Sequence, residues 1–129
     1  MLIALMFSAL LTATPPKLTW YPCLLGQTLM ANECTGAAQR WQWNQAKVAI
    51  GQLDTEVNWR LPTVQELKRH LNSNEAPQSI KGPVHSEWLL TSSVMRHGDE
   101  LLVAAVHSGS GKVEYLSVRE HGLVVLVHD

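Results

Sequence analysis

The spacing of apolar and polar positions predicts helices in the first half of the chain and strands in the second. Ala46, Ala49, Ile50 and Leu53 recur at helical intervals, which predicts a helix of about ten residues. We expect this helix to start near Asn44, because an asparagine side chain can accept hydrogen bonds from the free amides of the first turn.

A second helix has a clear start signal. Thr63 is followed three residues later by Glu66, the pattern of a capping box in which each side chain accepts a hydrogen bond from the other residue's backbone. Val64, Leu67 and Leu71 then fall on one helical face. The pattern predicts an amphipathic helix that begins directly after Thr63.

The remainder of the chain is rich in β-branched and aromatic residues. A short alternating run predicts an opening strand, and four longer runs predict later strands, at residues 17–21, 87–93, 101–107, 112–118 and 123–128. The Gly- and Ser-rich turn at 108–111 should join two of them as an antiparallel pair. Two helices followed by a meander of strands predict an α+β fold, with the helices packed on an antiparallel sheet.

Length and charge narrow the class of protein. The chain has 129 residues, which suits one domain of ordinary size. Its charged fraction of 16% and net charge of −1 give no basic field that would attract nucleic acid. We therefore expect no nucleic-acid partner.

The first residues resemble an export signal. Residues 1–13 are apolar and uncharged, and Pro15 and Pro16 follow shortly after. Such a run is too short to span a bilayer, which needs about 20 residues, but it fits the apolar region of a signal peptide. We predict a signal peptide at 1–14, a single domain at 15–129, no membrane span, and a periplasmic or secreted location. The alternative is that this run is a buried first strand or helix.

The chain contains two cysteines, Cys23 and Cys34. Their spacing differs from the C-x-x-C motif of redox enzymes, and two thiolates without a histidine cluster make a poor zinc site. In an exported domain a disulfide bond is the usual state of such a pair. We predict a Cys23–Cys34 bridge.

No residue pattern indicates catalysis or a bound metal. The six histidines form neither H-x-x-x-H nor H-E-x-x-H, so we predict no metal site and no cofactor. Ser92 and Ser93 lie in a predicted strand without the nucleophile-elbow pattern of a serine hydrolase. The sequence therefore favours a protein that is not an enzyme.

Several blocks of the sequence together resemble one protein family. They comprise the segment that begins at Cys23, the Cys-Thr-Gly at Cys34, Trp43 with Ala46, the Asn-Trp-Arg-Leu-Pro-Thr run at 58–63, Glu66-Leu67, the Ser-Ser strand at 88–93 and Ser-Val-Arg at 117–119. From Trp20 onward the chain is similar to the DUF1566 family, a domain also found at the C-terminus of the Legionella collagen-like adhesin. The resemblance implies a C-type-lectin-like fold in an exported bacterial protein.

The same resemblance implies roles for particular residues. Glycan binding, above all to sulfated polysaccharides, is the best-known activity of the family. We expect the motif residues to be structural, with Trp59 burying aromatic surface and Arg60 bracing carbonyls or a carboxylate. These residues are Trp43, Trp59, Arg60, Leu61, Pro62, Thr63 and Glu66.

Ligands of C-type-lectin-like folds usually meet a loop-rich face. That face here would draw on predicted loops at 72–86 and 94–100, where cationic side chains suit sulfated glycans or an acidic protein. The candidate binding residues are Lys81, His85, Arg96 and His97. Trp41 and Trp43 are candidates either for stacking on a sugar or for packing against the first helix.

Three functions are consistent with these features. The first is an exported binding module for glycans or polyanions at the cell envelope or outside it. The second is a periplasmic inhibitor or immunity protein that binds a toxin or hydrolase. The third is a subunit of an envelope or pilus assembly.

Overall fold

The computed structural model describes residues 17–53, 55–73 and 87–129 and confirms an α+β architecture with two helices on antiparallel sheets. The elements of this part of the chain are, in order, β1 (Thr19–Trp20), β2 (Thr28–Met30), β3 (Glu33–Thr35), β4 (Trp41–Gln42), α1 (Trp43–Gly51), α2 (Val64–Asn72), β5 (Trp88–His97), β6 (Glu100–His107), β7 (Val113–Ser117), β8 (His121–Gly122) and β9 (Val127–His128). The predicted signal peptide lies outside the described residues. Neither described helix is long and apolar enough to cross a membrane.

Strands β5, β6 and β7 form the central antiparallel sheet. The predicted pairing across the 108–111 turn is confirmed, because β6 and β7 pair in register from Leu102↔Ser117 to Val106↔Val113. The β5–β6 register shifts between Leu90 and Val94. This bulge bends β5 at the point where its side chains change from buried to exposed.

The two faces of this sheet carry separate hydrophobic clusters. Val103 and Ala105 of β6 pack in one cluster with Trp43 and Ala46 of α1. Val106 packs in the other cluster, which includes Leu67 of α2. Because successive side chains of a strand point to opposite faces, the helices lie on opposite faces of the sheet.

Helix α1 starts earlier than the sequence predicts. It begins at Trp43, and its N-cap is Gln42, whose backbone is extended; Asn44 is wrong as the cap. The side-chain Oε1 of Gln45 accepts a hydrogen bond from the Gln42 backbone N–H at 3.3 Å. The β4–β8 pairing of Gln42 with His121 holds the cap residue extended, so the helix starts directly after it.

Helix α2 begins as predicted. Thr63 Oγ1 accepts from the backbone N–H of Glu66 at 3.1 Å, and Glu66 Oε1 accepts from the backbone N–H of Thr63 at 2.9 Å. The capping box is confirmed. The helix buries Leu67 and His70 against the rest of the molecule.

The last predicted strand is wrong as a single element, and the opening one is shorter than expected. Within 123–128, Val127–His128 forms the strand β9, which pairs with β1. Residues before β9 are hydrogen-bonded to different segments in turn: Leu123 N–H to Trp88 O, Leu25 N–H to Val124 O, and Tyr21 N–H to Leu126 O. The segment is strand-like in sequence because it is buried throughout, and it has no single neighbouring strand.

The predicted disulfide is confirmed. Cys23 and Cys34 are bonded, with their Cα atoms 5.5 Å apart. Cys34 lies in the β2–β3 hairpin, which turns at Ala31 and Asn32 with positive φ angles of 51° and 65°. The bridge therefore attaches this hairpin to the buried segment at 23–25.

Candidate functional site

A cleft of about 480 Å³ opens between α1, the segment 59–61 and β5. Its volume lies within the range of about 300–1,000 Å³ that is usual for small-molecule sites. We call it the Lys47 cleft. It is lined by Trp43, Lys47, Ile50, Gly51, Trp59, Arg60, Leu61, Ser92 and Val94.

Trp43 forms the buried floor of the Lys47 cleft. Its indole Nε1 donates a hydrogen bond to the carbonyl oxygen of Thr91 at 3.1 Å, which fixes the ring against β5. One helical turn later, the ammonium of Lys47 lies 4.2 Å from the centre of this ring. The cation–π contact holds the charge at the opening of the cleft while its side chain stays exposed.

Trp59 contributes aromatic surface to the cleft and belongs to a larger aromatic group. Its ring meets Tyr21 edge-on at a centroid distance of 5.2 Å and His128 at 4.7 Å. Edge-to-face packing of this kind restricts the orientation of the indole. The wall of the cleft is therefore preformed.

Arg60 lines the cleft, but its guanidinium is already bound within the protein. Nη1 and Nη2 donate to the two carboxylate oxygens of Glu66 at 2.9 and 3.0 Å, and Nη2 also donates to Asp129 Oδ1 at 2.7 Å. Another Nη1 bond reaches the carbonyl oxygen of Leu61 at 3.2 Å. The predicted bracing of a carboxylate and a carbonyl by Arg60 is confirmed.

This pairing shifts the pKa values of both partners. The hydrogen bonds from Arg60 lower the pKa of Glu66 from 4.5 to about 2, although partial burial of the carboxyl opposes the effect. The hydrogen bonds to Glu66 and Asp129 raise the pKa of Arg60 further. Both groups stay ionised at neutral pH, so Glu66 and Asp129 neutralise the charge of Arg60 and Lys47 remains the available cation of the cleft lining.

The other motif residues have packing roles. Leu61 and Pro62 are buried, and the Pro62 carbonyl oxygen accepts a hydrogen bond from the backbone N–H of Ser92 at 2.8 Å. Thr63 starts α2, as described above. The motif therefore joins α2 to the bulged part of β5.

The structure separates the residues predicted to bind a ligand. Lys81 and His85 lie outside the described residues. Arg96 and His97 were expected in a loop, but both belong to β5, where Arg96 pairs with Leu101 and His97 with Glu100. The loop prediction for 94–100 is wrong because the two strands continue to a tight turn at 98–99.

Arg96 and His97 point to opposite faces of the β5–β6 hairpin. Arg96 lies two residues beyond Val94, so it shares the face of Val94 and the Lys47 cleft. His97 shares the other face with Met95. Of the two predicted residues that the structure describes, Arg96 is therefore the one on the cleft side of the hairpin. It does not line the cleft, and its Nη1 donates to the carbonyl oxygen of Asp99 in the hairpin turn at 3.5 Å.

Lys47 was not among the binding residues predicted from the sequence. The available signal was its position four residues after Trp43, a spacing that places two side chains on the same face of a helix, although the predicted helix began only near Asn44. Among the described residues there is no group of three or more His, Cys, Asp or Glu side chains arranged to hold a metal ion.

Comparisons with protein-family models, with curated proteins and with solved structures found no match to this chain.

Proposed function

We propose that this protein is an exported, non-catalytic binding module that recognises glycans through the Lys47 cleft. The ligand is a saccharide that carries an anionic group such as a sulfate or a carboxylate. The protein acts at the bacterial envelope or outside the cell.

The observation that carries the proposal is that the exposed ammonium group of Lys47 and the ring of Trp59 line the same cleft. Trp43 is buried and its ring is covered by Lys47, so Trp59 is the ring of the cleft that a sugar can contact. Aromatic rings bind the apolar faces of sugars, while an ammonium group binds their anionic substituents. Among the described residues, no carboxylate lies within ion-pairing distance of Lys47, so its charge is free for a ligand.

Arg96 supports the same ligand class. It is exposed on the same face of β5 as Val94, which lines the cleft, and its guanidinium lies towards the hairpin turn, where Nη1 donates to the carbonyl oxygen of Asp99. A longer anionic saccharide would contact Lys47 in the cleft and Arg96 outside it. His97, on the opposite face of the hairpin, is not part of this surface.

The disulfide bond supports an oxidising compartment and hence a periplasmic or secreted location. The DUF1566 resemblance and its C-type-lectin-like fold are part of the proposal. They are supported by the structural roles of Cys23, Cys34 and the motif around Arg60. They also agree with a glycan as the ligand.

The test is isothermal titration calorimetry with a heparin-derived tetrasaccharide and its desulfated counterpart. We expect the sulfated form to bind, with an affinity that falls as salt is raised, because added ions screen an exposed charge. Lys47→Gln should weaken binding about fivefold to tenfold, as expected for the loss of one charged contact of about 1–1.4 kcal/mol.

The matched control is Lys68→Gln. Lys68 is an exposed lysine of α2, on the opposite face of the central sheet, so its loss changes the net charge equally without touching the cleft. If both variants weaken binding of the sulfated tetrasaccharide equally, net charge alone explains the effect. No binding of either tetrasaccharide would reject an anionic glycan as the ligand.

A protein partner is the second candidate, and exposed apolar side chains on the β5–β6 hairpin favour it. Val94 and Met95 are 43% and 41% exposed on opposite faces of this hairpin. An inhibitor or assembly subunit could bury both sides of such an arm in a partner. Purified protein used as bait in a periplasmic extract should then retain one partner, and the double substitution Val94→Asp, Met95→Asp should abolish the capture.

A further inference from the structure

A second groove lies on the other side of helix α1. It has a volume of about 420 Å³, is shallow, and is separated from the Lys47 cleft by the helix itself. It is lined by Trp41, Asn44, Gln45, Val48, Ala49 and Gln52. We call it the amide groove, because three of its six lining residues carry side-chain amides.

The spacing of these residues explains why they share one groove. Asn44, Val48 and Gln52 follow one another at intervals of four along α1 and its C-cap, so they form a stripe along the helix. Lys47 and Gly51 form the neighbouring stripe, which borders the Lys47 cleft. The helix therefore presents a charged flank to one groove and an uncharged flank to the other.

Trp41 is held in place at the base of the amide groove. Its indole Nε1 donates to the carbonyl oxygen of Leu25 at 3.1 Å, and its backbone pairs with Gly122 in the β4–β8 ladder. The ring is half-buried against the hydrophobic cluster below α1. An aromatic plane fixed in this way can receive an apolar ring face without first being ordered.

The surface of the groove is mostly apolar, and the side-chain amides of its lining residues are available for hydrogen bonding. Among the described residues, the side chains of Asn44 and Gln52 form no hydrogen bond, and both are exposed. Gln45 uses Oε1 to accept from the Gln42 backbone, which leaves its NH₂ group to donate. The amides of Asn44 and Gln52 offer both donors and acceptors, and no ionisable side chain lines the groove.

We propose that the amide groove binds a neutral sugar residue. Side-chain amides can donate to one hydroxyl and accept from its neighbour, and the Trp41 ring and Val48 supply an apolar surface for a pyranose face. An anion or a cation would find no opposite charge in the groove. This site does not rest on the proposed function of the Lys47 cleft, since the two share no lining residue.

The experiment is an NMR titration of the ¹⁵N-labelled protein with neutral tetrasaccharides built from glucose, mannose, galactose or N-acetylglucosamine. We expect at least one of them to shift the Trp41 indole and the side-chain amide signals of Asn44, Gln45 and Gln52. The Kd should be on the order of 1 mM, as expected for one sugar residue in a shallow site. Added salt should leave it unchanged, because no charge takes part.

The double substitution Asn44→Ala, Gln52→Ala tests the assignment without removing packed side chains, since both residues are exposed. It should weaken binding of the neutral tetrasaccharide at least fivefold. Gln65→Ala, which removes an exposed amide from α2, should leave that binding unchanged. Lys47→Gln should also leave neutral binding unchanged. That variant separates failure of the Lys47 cleft from failure of the amide groove.

Two results would overturn the inference. The first is an absence of shifts at the groove with every neutral sugar in the panel. The second is equal neutral binding by Asn44→Ala, Gln52→Ala and by Gln65→Ala, because the amides would then not contact the ligand. Shifts confined to the Lys47 cleft would count as the first result.

Discussion

Arg60 connects three parts of the chain through one guanidinium group. It binds Glu66 in α2, Asp129 after β9, and the backbone oxygen of Leu61. Its own backbone N–H donates to the carbonyl oxygen of Val127 at 2.9 Å. The planar, multi-donor shape of arginine suits this role, and lysine would not replace it.

Substitution Glu66→Gln should lower the free energy of unfolding by about 2 kcal/mol at pH 7, since a charged, two-point hydrogen bond is lost. The effect should depend on pH. Folding lowers the pKa of Glu66 from 4.5 to about 2, so its contribution is complete above pH 4.5 and is lost as the pH falls towards 2. Urea unfolding at several pH values checks this.

The matched control for Glu66→Gln is Glu114→Gln, which changes an exposed carboxylate of β7. Its stability should stay close to that of the parent protein throughout. If the free energies of unfolding of Glu66→Gln and the parent protein differ by the same amount from pH 7 to pH 2, that result would contradict the assigned ion pair.

Gly122 shows how close the segments approach one another. An added Cβ there would lie 2.8 Å from Leu90 Cδ2 and 2.9 Å from the carbonyl oxygen of Trp88. Gly122→Ala should therefore destabilise the fold by about 1–3 kcal/mol through overpacking. At Gly51, no atom other than those of its chain neighbours and of the helix's own backbone lies within 4 Å of an added Cβ.

Gly51→Ala should instead stabilise the protein by up to about 1 kcal/mol, because alanine favours the helix that ends there. Thermal unfolding of the two alanine variants side by side tests the contrast. Equal melting temperatures would show that the backbone near Gly122 moves freely enough to absorb a methyl group.

At the scale of elements, the β2–β3 hairpin depends on the disulfide. The two strands pair over three residues each, and β2 is exposed at every position. A hairpin of this length is marginal without further support. The bridge from Cys34 to the buried Cys23 supplies that support.

Replacing both cysteines by alanine should lower the free energy of unfolding by roughly 2–3 kcal/mol, the loop-closure entropy for a bridge spanning 11 residues. The fold should persist, since most of the core lies in the central sheet and the helices. The check is thermal unfolding with and without reductant. Reductant should lower the melting temperature of the parent protein and leave that of the variant unchanged. Equal melting temperatures of the two proteins in oxidising buffer would contradict a stabilising bridge.

At the scale of the whole molecule, residues 123–127 hold the structure together. Each of them is at most 6% exposed; Val124 and Leu126 pack in one hydrophobic cluster, and Leu123 and Val125 pack in the other. Their backbone groups bond to the segments around Trp20, Leu25, Arg60 and Leu90. Segments that are far apart in sequence are thus connected through the buried residues 123–127.

Removal of residues 123–129 should therefore prevent folding. Circular dichroism and the dispersion of amide proton signals would report the loss. The control is removal of Asp129 alone, which takes away one ion pair with Arg60 and should leave the fold intact. A folded product of the longer deletion would show that the rest of the chain forms its core independently.

The local features could be predicted from sequence. The start of α2 and the pairing of β6 with β7 depend on short motifs, and the disulfide has no alternative pairing because the chain has two cysteines. The β2–β3 hairpin was missed because its Ala31–Asn32 turn lacks the glycine that usually signals such a turn. The helix at Trp43 was placed late because its cap is held by distant β8.

The sequence by itself determined which segments are helical and which are apolar, because these properties depend on neighbouring residues. It also determined the disulfide pairing, because the chain has two cysteines. Tertiary structure alone decided which distant segments meet: Arg60 with Asp129, 69 residues apart, and Lys47 with Trp59 across one cleft. Such contacts depend on the packing of all elements together, which no local sequence pattern encodes.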